Sequence, residues 1–414
     1  MSNRLRAFAP CPRGLESCLG DELTAAGAAE IRVRPGGVAF TGDWPVLMRV
    51  HLTSRIATRV LVAVGGGALP HGKRRGEEGA ALYRLARTVA WPKWVSPDAR
   101  LRVDLTVTRA ACTDAIPFLT LRVKDAICDA LRAQCGRRPS VDKHDPTFRV
   151  VVFLDERGAT FYWDTSGAPL VQRGFKSATT LAPLKENLAA GILQVIGWTP
   201  TLPLIDPMCG SGTFLLEAAM RAYAIPPGLF RVFAFEQWHG LDRQTWQQLR
   251  NTLRAETARH IAVLRTKHRE PLLFAADADP RQIAAAQHNW QKLEAAVEAS
   301  LPIVWQTAAA EALEPPSEVP PGYWVTNPPY GVRLAETEAL AAWYPVLGDA
   351  LKRRWAGWTA HFLTADSQFA KRIGLRPAAK WHLDNGPLRC VLLRYPIVAG
   401  SLKRNRVMSA EAEA

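Results

Sequence analysis

Three short stretches of this chain carry side chains whose types and spacing suit chemistry. The first is Asp206-Pro207-Met208-Cys209-Gly210-Ser211-Gly212-Thr213, between an apolar run at 202–205 and a helix-forming run at 214–224. Two glycines at a strand-to-helix turn let backbone come close to a ligand. The third glycine of the dinucleotide fingerprint is missing, since position 215 is Leu, and so is the Lys-Ser/Thr of a phosphate-binding loop. Asp206 repels phosphate and attracts a cationic amine. The turn therefore suits a ligand with an amino-acid end, such as S-adenosylmethionine, better than a pyrophosphate. The second stretch is Asp277 with Asp279. A carboxylate at a strand end accepts hydrogen bonds from ribose hydroxyls, which assigns Asp277. Asp279-Pro280 has the form of a helix N-cap followed by Pro at the first helical position. The third is Asn327-Pro328-Pro329-Tyr330, after the strand-like run 323–326. Proline stiffens the turn. The Asn327 side-chain oxygen and the Pro328 carbonyl are then two acceptors able to hold both hydrogens of a planar amine, turning its lone pair toward a methyl donor. Tyr330 can stack on the base that bears the amine, and such a base must be flipped or single-stranded.

Composition narrows the setting. The 414 residues suffice for two or three domains. The net charge is +14 with a pI near 9.7, which favours an anionic partner. The excess is uneven: residues 1–180 hold 27 Lys and Arg against 17 Asp and Glu, so a binding part precedes a working part. The seven cysteines (Cys11, Cys18, Cys112, Cys128, Cys135, Cys209 and Cys390) show no CxxC spacing, which sets aside a zinc ribbon, a metal site and a disulfide framework. They fit reduced cysteines of a cytosolic protein. The first twenty residues lack the apolar core of a signal peptide, and no apolar run nears the roughly 18 residues of a membrane span.

The elements that must hold these groups follow from periodicity. Residues 14–27 read as an amphipathic helix, 32–40 as a strand with a hairpin at Gly36-Gly37, and 54–64 as a mixed element. Strand-like runs lie at 101–107, 149–154 and 160–164. Between the first two, Leu121, Ala126, Ile127, Ala130 and Leu131 give helical spacing over 120–134, and together these predict a small α+β module. Strand and helix then alternate: helix 183–196, strand 202–205, helix 214–224, strand 272–276, helix 280–293, strands 303–306 and 323–326, helix 338–354 and strand 361–365. That pattern predicts a doubly wound, mostly parallel sheet. Asn385-Gly386 between runs 380–383 and 390–397 predicts an antiparallel pair at the sheet's end. Pro/Gly-rich stretches near 65–76 and 165–174 mark domain boundaries or exposed loops. The long stretch 225–270, with Trp238, His239, Trp246 and a basic run from Arg254 to Arg269, reads on one side as a lid or extra RNA contact and, with equal weight, as a helical insertion with a solvated basic face.

At these residues the chain resembles class I S-adenosylmethionine-dependent methyltransferases that methylate amines. Leu121 to Ile127, Arg137-Arg138-Pro139 and Val141-Asp142 resemble a THUMP RNA-binding domain, and Arg173-Gly174-Phe175 with Ala182 to Glu186 resembles the join to the catalytic domain. Gly14-Leu15-Glu16, Asp206 to Thr213, Asn327 to Arg333 and Asn385-Gly386-Pro387-Leu388 are similar to the bacterial large-subunit (23S) rRNA guanine-N2 methyltransferase family. The resemblance implies an α/β fold: a C-terminal Rossmann-like methyltransferase with a mostly parallel seven-stranded sheet, preceded by an α+β ferredoxin-like piece and a THUMP domain. The implied division is 1–60 ferredoxin-like, 61–168 THUMP, 169–400 methyltransferase and 401–414 polar tail. Implied cofactor contacts are Asp206, Pro207, Met208, Cys209, Gly210, Ser211, Gly212, Thr213, Asp277, Ala278 and Ala309. Implied catalytic positions are Asn327, Pro328, Pro329 and Tyr330, and implied RNA contacts are Lys124, Arg137, Arg138 and Lys143. The implied reaction is methyl transfer to the N2 amine of a guanosine in ribosomal RNA or its assembly precursor, in the cytoplasm. Some relatives fuse a second methyltransferase domain at the C-terminus, an activity expected to be missing here. The family often places an Asp near the adenine where this chain has Ala309, leaving backbone or Glu311 for that contact. Alternatives are a tRNA guanine-N2 or adenine-N6 methyltransferase, or an RNA-binding assembly factor with vestigial catalysis.

Overall fold

A computed structural model describes residues 4–69, 74, 76–108, 114–176, 184–267, 269–270, 272–329 and 334–399. The expected polar tail 401–414 and Cys112 lie outside the described residues. Two compact units form, one from residues 1–11, 19–170 and 231–252, the other from 12–18, 171–230 and 253–414.

In the first unit the chain runs β1 (Leu5–Pro10), α1 (Glu16–Ala25, starting in the 12–18 segment), β2 (Ala29–Arg34), β3 (Gly37–Gly42), α2 (Trp44–Thr53), β4 (Leu61–Gly67), α3 (Glu77–Arg87), β5 (Arg100–Val107), α4 (Ile116–Cys135), β6 (Ser140–Val141), β7 (Phe148–Asp155) and β8 (Gly158–Asp164). All eight strands join one sheet in the order β2-β3-β1-β4-β8-β7-β5-β6. The glycine-rich start of the expected 65–76 loop is strand instead. Gly65, Gly66 and Gly67 pair with Phe161, Thr160 and Ala159 of β8, past a bulge after Ala63. The buried stripe of α4 is Leu119, Val123, Ala126, Ile127, Ala130 and Leu131. Leu121, expected in that stripe, is 53% exposed because it falls on the opposite face of the turn. The outer strand β2 presents exposed Glu30, Arg32 and Arg34, and β6 at the other edge has only two residues.

The second unit carries α5 (Glu186–Val195), β9 (Leu204–Asp206), α6 (Thr213–Ala222), α7 (Arg243–Thr266, starting in the 231–252 segment), β10 (Leu273–Asp277), α8 (Pro280–Val297), β11 (Val304–Thr307), β12 (Tyr323–Thr326), α9 (Leu334–Arg354), β13 (Thr359–Thr364), α10 (Phe369–Arg372), β14 (Ala379–Asn385) and β15 (Leu388–Pro396). Its sheet has the order β11-β10-β9-β12-β13-β15-β14, with the first five strands parallel and β15 antiparallel to both neighbours. Asn385 closes β14 and pairs with Leu388, so the expected hairpin stands at the sheet's end. Tyr344, Leu347 and Leu351 of α9, with Trp355 directly after it, lie in one cluster with Trp324, Phe362 and Leu393 of the strands. Gly14 can be nothing else, because a Cβ there would lie 2.2 Å from the His382 carbonyl oxygen. The 225–270 stretch is largely helix α7. Its Arg254, Arg259 and Arg265 are exposed, while Thr257 and Ile261 are buried.

Six cysteines are free thiols, and no disulfide forms among the described residues. Among those residues no cluster of three or more His, Cys, Asp or Glu is placed to hold a metal ion, and no helix is long and apolar enough to cross a membrane.

Candidate active site

The order of the second sheet reverses between β9 and β12, and ligands of open α/β sheets bind beyond the carboxyl ends of the strands at such a point. Asp206 is the last residue of β9, Asp277 the last of β10, and Asn327 follows β12 directly. Three groups far apart in sequence thus share one sheet edge.

Beyond Asp206 the chain turns tightly into α6. Gly210 and Gly212 have φ of +53° and +81°, in the left-handed region open to glycine. A Cβ on Gly210 would meet nothing within 4 Å, so the turn has open space beside it. A Cβ on Gly212 would come within 3.2 Å of Ala286. The Cys209 N–H donates to the Ala276 carbonyl at 2.9 Å, tying the turn to β10. Asp277 locks it further: one carboxylate oxygen accepts the Gly210 N–H at 3.0 Å and the other the Asp279 N–H at 3.0 Å. Asp279 caps α8 by accepting the Arg281 N–H at 2.9 Å, as its sequence context predicts. Ala278 is exposed at this edge, and Pro207, Cys209, Ser211 and Thr213 are buried with Met208 half-buried.

Asp206 is 2% exposed and forms no ion pair with Lys or Arg among the described residues. Burial pushes its carboxyl up to about 8, with Asp277 adding to the rise and the Met208 N–H opposing it. Burial also drives the Cys209 thiol far up, so it is no nucleophile. A buried acid without a cation beside an open glycine turn fits a ligand bearing an ammonium group, which is the amino-acid end of S-adenosylmethionine.

Asn327 is half-buried, Pro328 buried and Pro329 exposed. Tyr330 lies outside the described residues. Ala309 precedes a short 3-10 turn at Ala310–Ala312, and the neighbouring Ala308 N–H donates to the Asp277 carbonyl at 3.0 Å. The Glu311 carboxylate receives the Trp343 indole N–H at 2.8 Å.

Residues 173–394 match the family described as RMKL-like, methyltransferase domain. The chain belongs to the RMKL-like methyltransferase family. Residues 6–61 match the RlmL ferredoxin-like domain and 80–164 the THUMP domain. A Synechocystis protein named as an RNA methyltransferase, slr0064, is 37% identical over 94% of this chain and 96% of its own length. The ribosomal RNA large subunit methyltransferase K/L of Shewanella baltica OS195 is 36% identical over 97% of this chain. The chain spans about half the length of that relative, 54%. The crystal structure of SMU.472, described as a methyltransferase complexed with SAH, aligns over 97% of this chain with a TM-score of 0.79 and 25% identity.

Several residues around this RMKL-like site were not legible in its motifs. Lys176 Nζ donates to Thr213 Oγ at 2.8 Å and to Glu186 at 3.0 Å, pinning the first residue of α6. Asn289 is fully buried and donates to the Ser211 carbonyl at 3.1 Å. Its signal was an amide on the apolar stripe formed by Ile283, Ala286, Trp290 and Leu293. Arg173, first residue of the family match, pairs with Glu217 through bonds of 2.8 and 3.2 Å, with both side chains almost wholly buried.

The four expected RNA contacts all lie in the first unit but do not converge. Lys124 and Arg138 line a cavity of about 840 Å³ with Tyr83, Arg122 and Arg132. Arg122 lies over the Tyr83 ring at 4.5 Å. Arg137 instead pairs with Asp98 at 2.9 Å, and Lys143 is exposed, with its carbonyl accepting from Arg102.

Proposed function

We propose that this chain transfers a methyl group from S-adenosylmethionine to the exocyclic N2 amine of a guanosine in large-subunit (23S) ribosomal RNA. The observation that carries the reading is the meeting of buried Asp206, Asp277 and the Asn327-Pro328-Pro329 turn at one sheet edge in an RMKL-like chain. The large-subunit substrate follows the K/L relatives, of which this chain spans about half.

When bound, the donor supplies an electrophilic methyl carbon. Asp206 holds its ammonium group, and residues 207–213 lie against its amino-acid end. Asp277 accepts from the ribose hydroxyls, its carboxylate already oriented by the Gly210 and Asp279 N–H groups. Ala278 and Ala309 flank the adenine. Asn327 Oδ1 and the Pro328 carbonyl hold the two hydrogens of the target amine, Pro329 stiffens the turn, and Tyr330 stacks on the flipped guanine. Catalysis on this reading is positioning and electrostatics rather than covalent chemistry. Lys124, Arg137, Arg138 and Lys143 meet RNA phosphates. The division of labour follows the boundaries 1–60, 61–168 and 169–400, and the enzyme works in the cytoplasm on RNA or its assembly precursor.

The deciding experiment is transfer from labelled S-adenosylmethionine to unmodified large-subunit rRNA, with tRNA alongside, followed by nucleoside mass spectrometry. N2-methylguanosine in rRNA alone is the expected product. Methylated tRNA or N6-methyladenosine discards the substrate assignment. Failure to bind the donor leaves the vestigial reading.

A further inference from the structure

Trp238 has no part in the methyl-transfer site, yet it lies at an aromatic pocket within the first unit. Trp94, Phe148, Trp163 and Trp238 wall a cavity of about 320 Å³. That lies at the small end of the roughly 300–1,000 Å³ of small-molecule sites, the scale of one planar ring system. The rings are fixed in advance. Trp238 packs against Trp44 with centroids 4.6 Å apart and lies near-parallel to Trp94, at 19° and 6.1 Å. Its indole N–H donates to the Lys93 carbonyl at 3.0 Å. Phe148 stacks on Trp163 at 5.3 Å. Rings held this way lose little freedom when a flat guest enters.

A second observation points to a ligand. Trp163 is 1% exposed, and its indole N–H finds no hydrogen-bond partner among the described residues. Buried donors are nearly always paired, so this orphan beside the pocket is a polar group the wall leaves unsatisfied. The rim adds polar groups, with Asp98, Gln237 and His239 all exposed. Positive charge lies next to this lining: Lys93 Nζ stands 5.0 Å from the Trp94 ring centroid, and Arg137 is paired with Asp98 of the rim. Aromatic faces flanked by cations are the arrangement that binds single-stranded nucleic acid, stacking on the base and neutralising its phosphates.

We propose that this pocket takes one unstacked nucleobase of the RNA substrate, separate from the base that is methylated. The base stacks on Trp238, the half-buried ring of the wall, and a flanking phosphate faces Lys93. The proposal rests on the RNA-methyltransferase reading and gives the Trp238 segment a role in holding substrate.

The test titrates the full chain with a single-stranded RNA bearing 4-thiouridine and with a fully paired RNA duplex. Wild type, Trp238→Leu and Trp238→Phe are compared, with calorimetric affinity for S-adenosylmethionine as the control for folding. Trp238→Leu should weaken single-strand binding by about 5- to 150-fold, the loss of one stacked base. Duplex and donor affinity should stay unchanged, and Trp238→Phe should restore most of the loss. Irradiation of the wild-type complex should cross-link a peptide containing Trp94 or Trp238, a readout that needs no variant. Equal losses for single strand and duplex, no loss in either, or cross-links confined to other peptides overturn the pocket. RNA methylation without these effects overturns the pocket and leaves the function standing. These effects without methyl transfer to RNA uphold the pocket and overturn the function.

Discussion

Asp206 carries the pH dependence expected of the proposed donor site. Burial pushes its carboxyl up to about 8, against about 3.9 in an unfolded chain. The folded state therefore binds the proton more tightly, and the stability it contributes is complete below pH 4 and lost as pH rises through 8. Replacing Asp206 with Asn should flatten the fall in melting temperature of the ligand-free protein over that window; parallel curves for the two proteins would remove the assignment. On the proposed reading the donor's ammonium group needs the charged carboxylate, so affinity should rise from pH 6 to 8 with release of a proton. Calorimetry in two buffers of different ionisation enthalpy reads that release directly. Asn327→Ala belongs to the same scale: turnover should disappear while the donor dissociation constant barely moves, and retained turnover would strip Asn327 of its role. Asp206, Asp277 and Asn327 stood out in the sequence because each lies at or directly after a strand's end, and Asp279 because it precedes a Pro at a helix start. Lys176 and Asn289 escaped because their meaning lies in what they touch, Thr213 and the Ser211 carbonyl, across 37 and 78 residues.

Among the elements, the pair formed by Arg173 and Glu217 ties the segment entering the catalytic unit to α6, the helix that follows the donor turn. Removing Arg173 takes a two-bonded cation away from the buried Glu217 carboxylate. Arg173→Met should cost about 3–5 kcal/mol, and Arg173→Met with Glu217→Leu should regain most of it, since well-packed apolar pairs replace buried ion pairs at little loss. Chemical denaturation of the two variants checks this; a double variant no better than the single would mean the pair acts through something other than charge. The same scale shows what periodicity reveals and hides. The strands from β9 to β15 stood out because apolar runs are cut short by Asp, Asn and Gly. Helix α2 was hidden because Trp44–Thr53 is apolar on most sides and contains Pro45. Strand β4 was hidden because its glycines read as a loop until β8 pairs with them.

At the scale of the molecule, the charge excess in the first 180 residues matches the unit that holds Lys124, Arg137, Arg138 and the basic cavity. Reversing Arg137 and Arg138 to Glu should weaken binding to RNAs of any sequence alike and lower the slope of log affinity against log salt by about one per lost phosphate contact. An unchanged slope would take both residues off the phosphates. The ends of the two sheets bear on a different hazard. A protein drawn in numbers onto a polyanion is crowded against its own copies, and bare strand edges then invite copies to zip together. Here exposed Glu30, Arg32 and Arg34 line β2, and exposed Lys380 and His382 line β14, while β6 and β11 offer only two and four residues. A neighbouring strand would have to bury those polar groups or find too little ladder to grip, so the borders of both sheets disfavour pairing between copies.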